Sequence, residues 1–370
     1  MPRELFKKTN TAAAEIDLAA LKYNFTALKR KTKKKIIPVI KANAYGHGIV
    51  EISRFLEKEC GADILAAARM SEGIQLRKNG IKTGILILNG AGKDEISDAV
   101  RNNLAVSVHC AEKLKDVSAF CAKNRKKADI HLKFNTGMNR LGISLTDALR
   151  VKKTVDMNPR IRLKGIYTHF ADADKKNDTR TLKQARELEK LKKIFGDGPM
   201  YHAANSAAAA RYESVRFDAV RPGIMLYGCY PGGGFRFDIK LKPVMSLSAP
   251  VIQVRKIKKG DKVSYGGKYT APSVRTIAVV GIGYGDGFFR SLSNKGYVLI
   301  KGKKAPVLGA VCMDMTAVRA PEKTKNGDRA VVFGKSGKAV ISVEQIAEKA
   351  GTIPYEILTG ITDRVERVYR

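Results

Sequence analysis

The chain has 370 residues, 44% of them hydrophobic, and sets 69 lysines and arginines against 35 aspartates and glutamates for a formal net charge of +34. That length can bury a large core and predicts two domains. No apolar run reaches the roughly 18–20 residues that a membrane helix needs, and the opening "MPRELFKKTNTAAAEIDLAA" carries no long apolar stretch ahead of a cleavage site, so neither a membrane span nor a secretory signal is expected.

In chain order, the first predicted element is a helix with Asp17 at its cap and Leu18, Leu21, Phe25 and Leu28 on one face. It ends in "KRKTKKK" (29–35), where cations suit the helix dipole. Eight β-rich runs follow: 36–41, 62–68, 84–89, 105–109, 129–135, 161–169, 200–206 and 217–223. The stretches between them look helical. In 178–195, Leu182, Ala185, Leu188, Leu191 and Phe195 recur every three or four residues. Alternating strands and helices with apolar interiors argue for a parallel sheet, and eight units in so short a span predict an α/β fold closed as a (β/α)₈ TIM-type barrel. An open doubly wound sheet is the alternative.

Past "YGCYPGGGFRFD" (227–238) the pattern turns to strands split by glycine turns, with a short helix near 342–350. The expected division is therefore a barrel over 1–242, whose residues before about 14 could pack with the second domain, and a β-rich C-terminal domain over 243–370. The glycines at 232–234 read as a linker, because no strand–loop–helix context makes them a phosphate loop.

In such barrels chemistry sits at the C-terminal strand ends. Those ends hold Lys41, Lys133 with Arg140 beyond it, His169, Asn205 and Ser206, and Arg221 followed by Pro222 and Gly223. Strand ends are polar anyway where they meet water, but Lys, His and Arg converging in one mouth is a stronger pattern. "ANSAAAA" (204–210) offers a hydroxyl, an amide and a helix start with free N–H groups, and "RPGI" (221–224) a glycine whose backbone can approach a ligand. A lysine opposite a phosphate cradle, with an arginine beside it, describes a pocket for a phosphorylated aldehyde, pyridoxal 5′-phosphate (PLP) above all. The five cysteines (Cys60, Cys110, Cys121, Cys229, Cys312) form no CxxC pair and no cluster with histidine, so reduced thiols in a cytoplasmic protein and no metal are expected.

Nine motifs in order carry a resemblance: "VIKANAYGHG" (39–48), "HLKFNTGMNRLG" (131–142), "GIYTHFADAD" (165–174), "HAANSAAA" (202–209), "RPGIMLYG" (221–228), "VSYGGKYTA" (263–271), "GIGYGDGF" (281–288), "GAVCMDM" (309–315) and "GTIPYEIL" (351–358). Over essentially its full length the chain resembles alanine racemase, the two-domain PLP enzyme family. The resemblance implies that Lys41 holds PLP and then acts as a base, and that Tyr265, from the partner subunit of a homodimer, is the second base. An unperturbed phenol near pKa 10 is only about one part in a thousand ionised at pH 7, so cationic surroundings are needed; His169 matches the residue that contacts this tyrosine. Arg221 matches the residue facing the pyridine nitrogen. Tyr45, Ser206, Gly223, Ile224 and Tyr355 match positions around the phosphate, with Asn205 beside them. Arg140 and the backbone N–H of Met313, again the partner's, match the contacts to the substrate carboxylate. Lys133 stands where members often carry a carbamylated lysine, and unmodified it would repel Arg140. Asp174, Tyr284 and Arg290 match residues lining the entrance.

The chain departs from the usual pattern at Asn135, where a negative charge near Arg140 is lost beside Phe134, at Phe289, and at Glu366. The expected activity is interconversion of L- and D-alanine by two bases, supplying D-alanine for peptidoglycan. A racemase of wider range, taking serine or lysine, is the alternative. A PLP decarboxylase of the same architecture lacks support, because both the Tyr265 and Arg221 motifs are present. The basic charge is spread along the chain rather than held in a tail, so nucleic acid is disfavoured as a partner and a generally basic surface, attractive to anionic substrates, is favoured.

Overall fold

The computed structural model describes residues 11–232 and 237–370, so part of the glycine run, 233–234, lies outside the described residues. The chain forms two compact units. One gathers the described residues through Leu21, Tyr227–Tyr230 and Lys242–Arg370; the other holds Lys22–Leu226 and Pro231–Leu241.

In the larger unit the eight apolar runs become β2 (Lys35–Ile36), β3 (Ile64–Ala67), β4 (Gly84–Ile87), β5 (Leu104–Val108), β6 (Ala128–Lys133), β7 (Ile161–Tyr167), β8 (Met200–His202) and β9 (Ala219–Val220); a first strand, β1 (Ala13–Ile16), precedes them in the other unit. Their ladders are parallel in the order β2-β9-β8-β7-β6-β5-β4-β3. A parallel bridge between Val39 and Ala66 joins the two ends of that order, with Ile40 N–H donating to Ala66 O at 2.9 Å and Ala66 N–H to Pro38 O at 2.8 Å. Sequential order around a closed ring is the TIM-type barrel and leaves no switch point for an open doubly wound sheet. Leu65, Leu86, Val106, Ile130, Leu132 and Ile166 are among the buried strand residues.

The helices form where apolar spacing placed them. Asp17 Oδ1 accepts from Ala20 N–H at 2.7 Å at the start of Leu18–Thr32, where Leu21, Phe25 and Leu28 are buried. Helix Thr181–Phe195 starts on Asp178, which accepts from the N–H groups of Arg180 and Thr181. Its inward face differs from the expectation: Leu182 is 47% exposed, while Thr181, Gln184, Ala185, Leu188 and Leu191 are buried. Those five share one stripe, and Leu182, about 100° round the helix from Thr181, faces outward.

The smaller unit is β-rich. Its strands after β9 are β10 (Met245–Ile257), β11 (Lys262–Val263), β12 (Tyr269–Thr270), β13 (Arg275–Val280), β14 (Tyr297–Ile300), β15 (Lys303–Pro306), β16 (Thr316–Arg319), β17 (Arg329–Ser336), β18 (Ala339–Ile341) and β19 (Glu366–Tyr369). The long β10 pairs antiparallel with β1, β13 and β17, and β1 runs parallel to β19. Ser342 caps helix Val343–Ala350 with Gln345 reaching back, a reciprocal pair of bonds.

Candidate active site

At the mouth of the barrel, Lys41 follows the bridged strand end and opens a turn of the wrong hand. Ala42, Asn43, Ala44 and Tyr45 have φ of +52°, +54°, +53° and +54°. L-residues resist that conformation by roughly 1–2 kcal/mol each, so the turn persists because its groups are held. Ala44 N–H donates to Ile40 O (2.8 Å), Gly48 N–H to Asn43 O (2.9 Å), and Ile49 N–H to Asn43 Oδ1 (2.8 Å). His47 Nδ1 lies 2.8 Å from Tyr45 O, so it carries its proton there and donates. The turn buries Tyr45 with its hydroxyl against Gly223, where a Cβ would stand 2.2 Å from that oxygen. Glycine is required at 223 for this approach.

Next to it, the buried Ser206 hydroxyl accepts from Gly223 N–H at 2.9 Å and from Met225 N–H at 3.4 Å, leaving its own hydrogen to donate. Ile224 opens a 3-10 turn over Ile224–Tyr227. Asn205 is engaged at both ends of its amide: Oδ1 accepts from Ala208 N–H at 3.0 Å and Nδ2 donates to Phe170 O at 3.4 Å.

Arg221 follows β9 and is buried. Nη1 donates to His202 Nδ1 at 2.7 Å, and Nη2 to Thr168 O at 2.6 Å and Ala203 O at 3.0 Å, with His169 Nδ1 at 3.3 Å. Burial brings its pKa down to about 10, so it stays a cation at neutral pH. Because a guanidinium can only donate, His202 Nδ1 must accept. Its Nε2 then carries the proton and donates to His131 Nδ1, 2.9 Å away. Burial, with Arg221 nearby, pushes His202 well below the usual histidine range and His131 down to about 3. Both rings are neutral. Tyr167 stacks on His202 at 4.8 Å, and its hydroxyl is 2.7 Å from Ser107.

Lys133 ends β6 and is 7% exposed. Burial, then Arg140, Arg221 and Lys41, push its amine down to about 8. Burial and Arg140 also lower Lys41, against which Glu72 acts in the opposite sense. His169, two residues past β7, is held neutral by burial and by Arg221, Arg140, Lys133 and Lys41. It brings a hydrogen-bonding ring to the mouth and not the cationic charge a neighbouring phenol would need; that charge belongs to Arg140, Arg221 and the two lysines. Arg140 is exposed. At the departure before it, Asn135 Oδ1 accepts from Gly137 N–H and Asn139 N–H, the bonds a carboxylate would have taken. Asp174 is half-buried in the turn beyond β7, close in sequence to Asp172, which pairs with Lys175 and Arg180.

In the smaller unit, Tyr265 opens a 3-10 turn and is 76% exposed. Ser264 before it has φ +66° and binds Ala310 O at 2.7 Å, with Cys312 Sγ at 3.2 Å. Tyr284 N–H donates to Cys312 O (3.0 Å) and Gly285 N–H to Met313 O (2.9 Å). Cys312 thereby joins the segments of Tyr265, Tyr284 and Met313, and all three side chains are exposed, Met315 with them. Arg364 ties Asp286 to Asp314. Arg290 is exposed, Tyr355 half-buried on helix Pro354–Thr359, Phe289 packed against Gly360, and Glu366 exposed on β19.

His131, His202, Tyr167, Gln184 and Glu72 carry structural work at this mouth that the sequence reading did not assign. The signal for His131 was its spacing of two from Lys133 within a strand, which puts both on one face.

Two family descriptions match: "Alanine racemase, N-terminal domain" over residues 16–231 and "Alanine racemase, C-terminal domain" over 244–369. Alanine racemases of Carboxydothermus hydrogenoformans and Methanococcus maripaludis are each 40% identical, covering 96% of this chain and 98% of the relative. Among solved structures, alanine racemase of Clostridium difficile 630 superposes with a TM-score of 0.92 at 38% identity, covering 98% of this chain and 96% of that one. Alanine racemase of Bacillus anthracis, with bound L-Ala-P, does so at 0.91 and 34% identity, over 99% and 96%.

Proposed function

The chain belongs to the alanine racemase family and interconverts L- and D-alanine, and from that premise we propose that PLP is held on Lys41 while Tyr265 of the partner subunit serves as the second base. The residues of the barrel mouth fit PLP. Gly223, Ser206 and Tyr45 form a cradle too close for a Cβ, with a hydroxyl hydrogen left to donate; the matching motif positions assign Ile224, Tyr355 and Asn205 to the phosphate as well. When bound, PLP supplies an electron sink that makes the Cα–H of the attached amino acid acidic.

The rest is the work of this chain. Racemisation removes a proton from one face of Cα and returns one to the other. Lys41 can do so on its face because burial and Arg140 lower its amine toward neutrality. The opposite face needs a group from elsewhere, and Tyr265, 76% exposed beside the exposed Met313 and Tyr284, is free to enter a second copy's mouth. His169, neutral and with Nδ1 turned to Arg221, offers the proton on Nε2 to that phenol's oxygen. Arg221 would donate to the ring nitrogen while remaining charged, which keeps that nitrogen unprotonated and the sink weak.

Arg140 and the N–H of Met313 from the partner subunit would take the substrate carboxylate, and Asp174, Tyr284 and Arg290 would line its entry. Lys133, with an amine near 8, is nucleophilic enough to add carbon dioxide; its nitrogen bonds the carbon and loses a proton, and the resulting carbamate turns repulsion of Arg140 into attraction. Five free thiols accord with a reducing cytoplasm, and no described helix is long and apolar enough to cross a membrane. D-Alanine would go to peptidoglycan.

The observation that carries this reading is the mouth that holds Lys41, its amine lowered by burial and Arg140, beside the Gly223 cradle. Borohydride reduction of the purified protein followed by peptide mapping should place a pyridoxyl group on Lys41. A pyridoxyl group on another lysine would reject it.

A further inference from the structure

We infer that Glu72 is the positioning residue for Lys41, tying the left-handed turn that carries the lysine to the neighbouring strand end and setting one negative charge against a cluster of cations. The inference rests on Lys41 being the cofactor's anchor. Glu72 lies in the first turn of helix Met70–Lys78. Its Oε2 accepts from Ala68 N–H at 2.7 Å and Arg69 N–H at 3.0 Å, ordinary work for an acidic residue at a helix start. Its Oε1 does something a cap has no need of. It accepts at 2.7 Å from Ala42 N–H, 30 residues away in sequence.

Ala42 follows Lys41 directly and is the first of the four residues with φ near +50°. It is also exposed, so water could satisfy its N–H. The carboxylate therefore supplies something water does not: a fixed strut between the ends of β2 and β3, at the point where the turn leaves the strand. The second part is electrostatic. Arg140 and Arg221 are cations around the mouth, joined by Lys133 while it is unmodified, and Glu72 is an acidic group that acts on the Lys41 amine.

The two parts separate by substitution. Glu72→Gln keeps a side-chain carbonyl for Ala42 but loses the charge. Glu72→Asp keeps the charge and shortens the reach. Glu72→Ala loses both. After removal of the cofactor, the pH at which the Lys41 amine becomes half-reactive toward an acylating reagent is read by peptide mass, and the dissociation constant for added PLP by absorbance.

Glu72→Gln should move the Lys41 midpoint to lower pH, because the charge that favours the ammonium is gone, and Glu72→Asp should restore it toward wild type. Glu72→Ala should weaken PLP binding about tenfold or more, the loss of a charge-assisted bond and of the strut together. Unchanged midpoints in Glu72→Gln and Glu72→Ala, with only a lower Tm, would make Glu72 a plain helix cap and overturn the inference. If Glu72→Ala does not fold, the conservative variant decides. Borohydride mapping of the wild type reports separately on the anchor: a wild type labelled at Lys41 with unmoved midpoints sinks the role of Glu72 alone.

Discussion

Lys133 sits among Arg140, Arg221 and Lys41 at 7% exposure, so its ammonium is opposed by desolvation first and by three like charges after. The consequence for stability has a definite sign. Unfolded, the amine titrates at its ordinary 10.5; folded, near 8. Between those values the unfolded chain binds the extra proton, so stability rises with pH across that window. Below it the unmodified protein carries a penalty of at most about 3 kcal/mol. In buffer free of carbon dioxide, Lys133→Met should therefore be more stable than wild type at pH 7, and the gap should close as pH rises from 8 to 10.5. Added bicarbonate should raise the wild type's Tm near pH 8 and leave the variant's unchanged. A gap independent of pH would contradict this account. Which residues were legible at this scale follows from where their partners lie. Lys41, Lys133 and Arg221 announce themselves at strand ends. His202 and His131 do not, since their role is a proton arrangement imposed by an arginine 19 residues from one and a histidine 71 from the other.

At the scale of elements, helix Thr181–Phe195 joins two loops at the barrel mouth through one side chain. Gln184 is 2% exposed; its Oε1 accepts from Ala171 N–H (3.0 Å), and its Nε2 donates to His169 O (3.0 Å) and Thr136 Oγ1 (3.3 Å). Gln184→Leu fills the same space but strands a buried N–H and a carbonyl, at a cost of about 2–4 kcal/mol in urea unfolding. Because His169 hangs from that carbonyl, kcat should fall more than the lost stability explains, while Gln184→Glu, which keeps an acceptor for Ala171, should fall between. A Leu variant as stable and active as wild type would remove Gln184 from the account. The apolar spacing was enough to locate this helix, yet it assigned Leu182 inward and passed over Gln184. Buried polarity is decided by what faces it, here two loops remote in sequence. The turn after Lys41 was hidden for a related reason. Ala42 to Tyr45 include no glycine to signal their positive φ, and the groups they meet include Glu72 and Gly223, far away in sequence.

At the scale of the whole molecule, the barrel was readable because each apolar run of five to nine residues alternates with a helical stretch. The ladders proved shorter than the runs: 36–41 gives only Ile36 to the two-residue β2, and 217–223 gives two residues to β9. Hydrogen bonding continues beyond them, from Val39 N–H to Pro222 O and from Arg221 N–H to Ala204 O, and it carries Lys41 and Arg221 to the same rim. A single sequence could not reveal that Tyr265, Tyr284, Met313 and Met315 would all stand exposed, as the proposed entry of Tyr265 into a second copy's mouth requires. Two-chain sites make the account testable in one mixing experiment. Lys41→Ala and Tyr265→Phe should each be nearly inactive alone. Exchanged at equal amounts into random dimers, half become hybrids in which one mouth has both bases and the other neither, so activity should return to about a quarter of wild type. A mixture no more active than the two variants measured apart would contradict a site built from two chains.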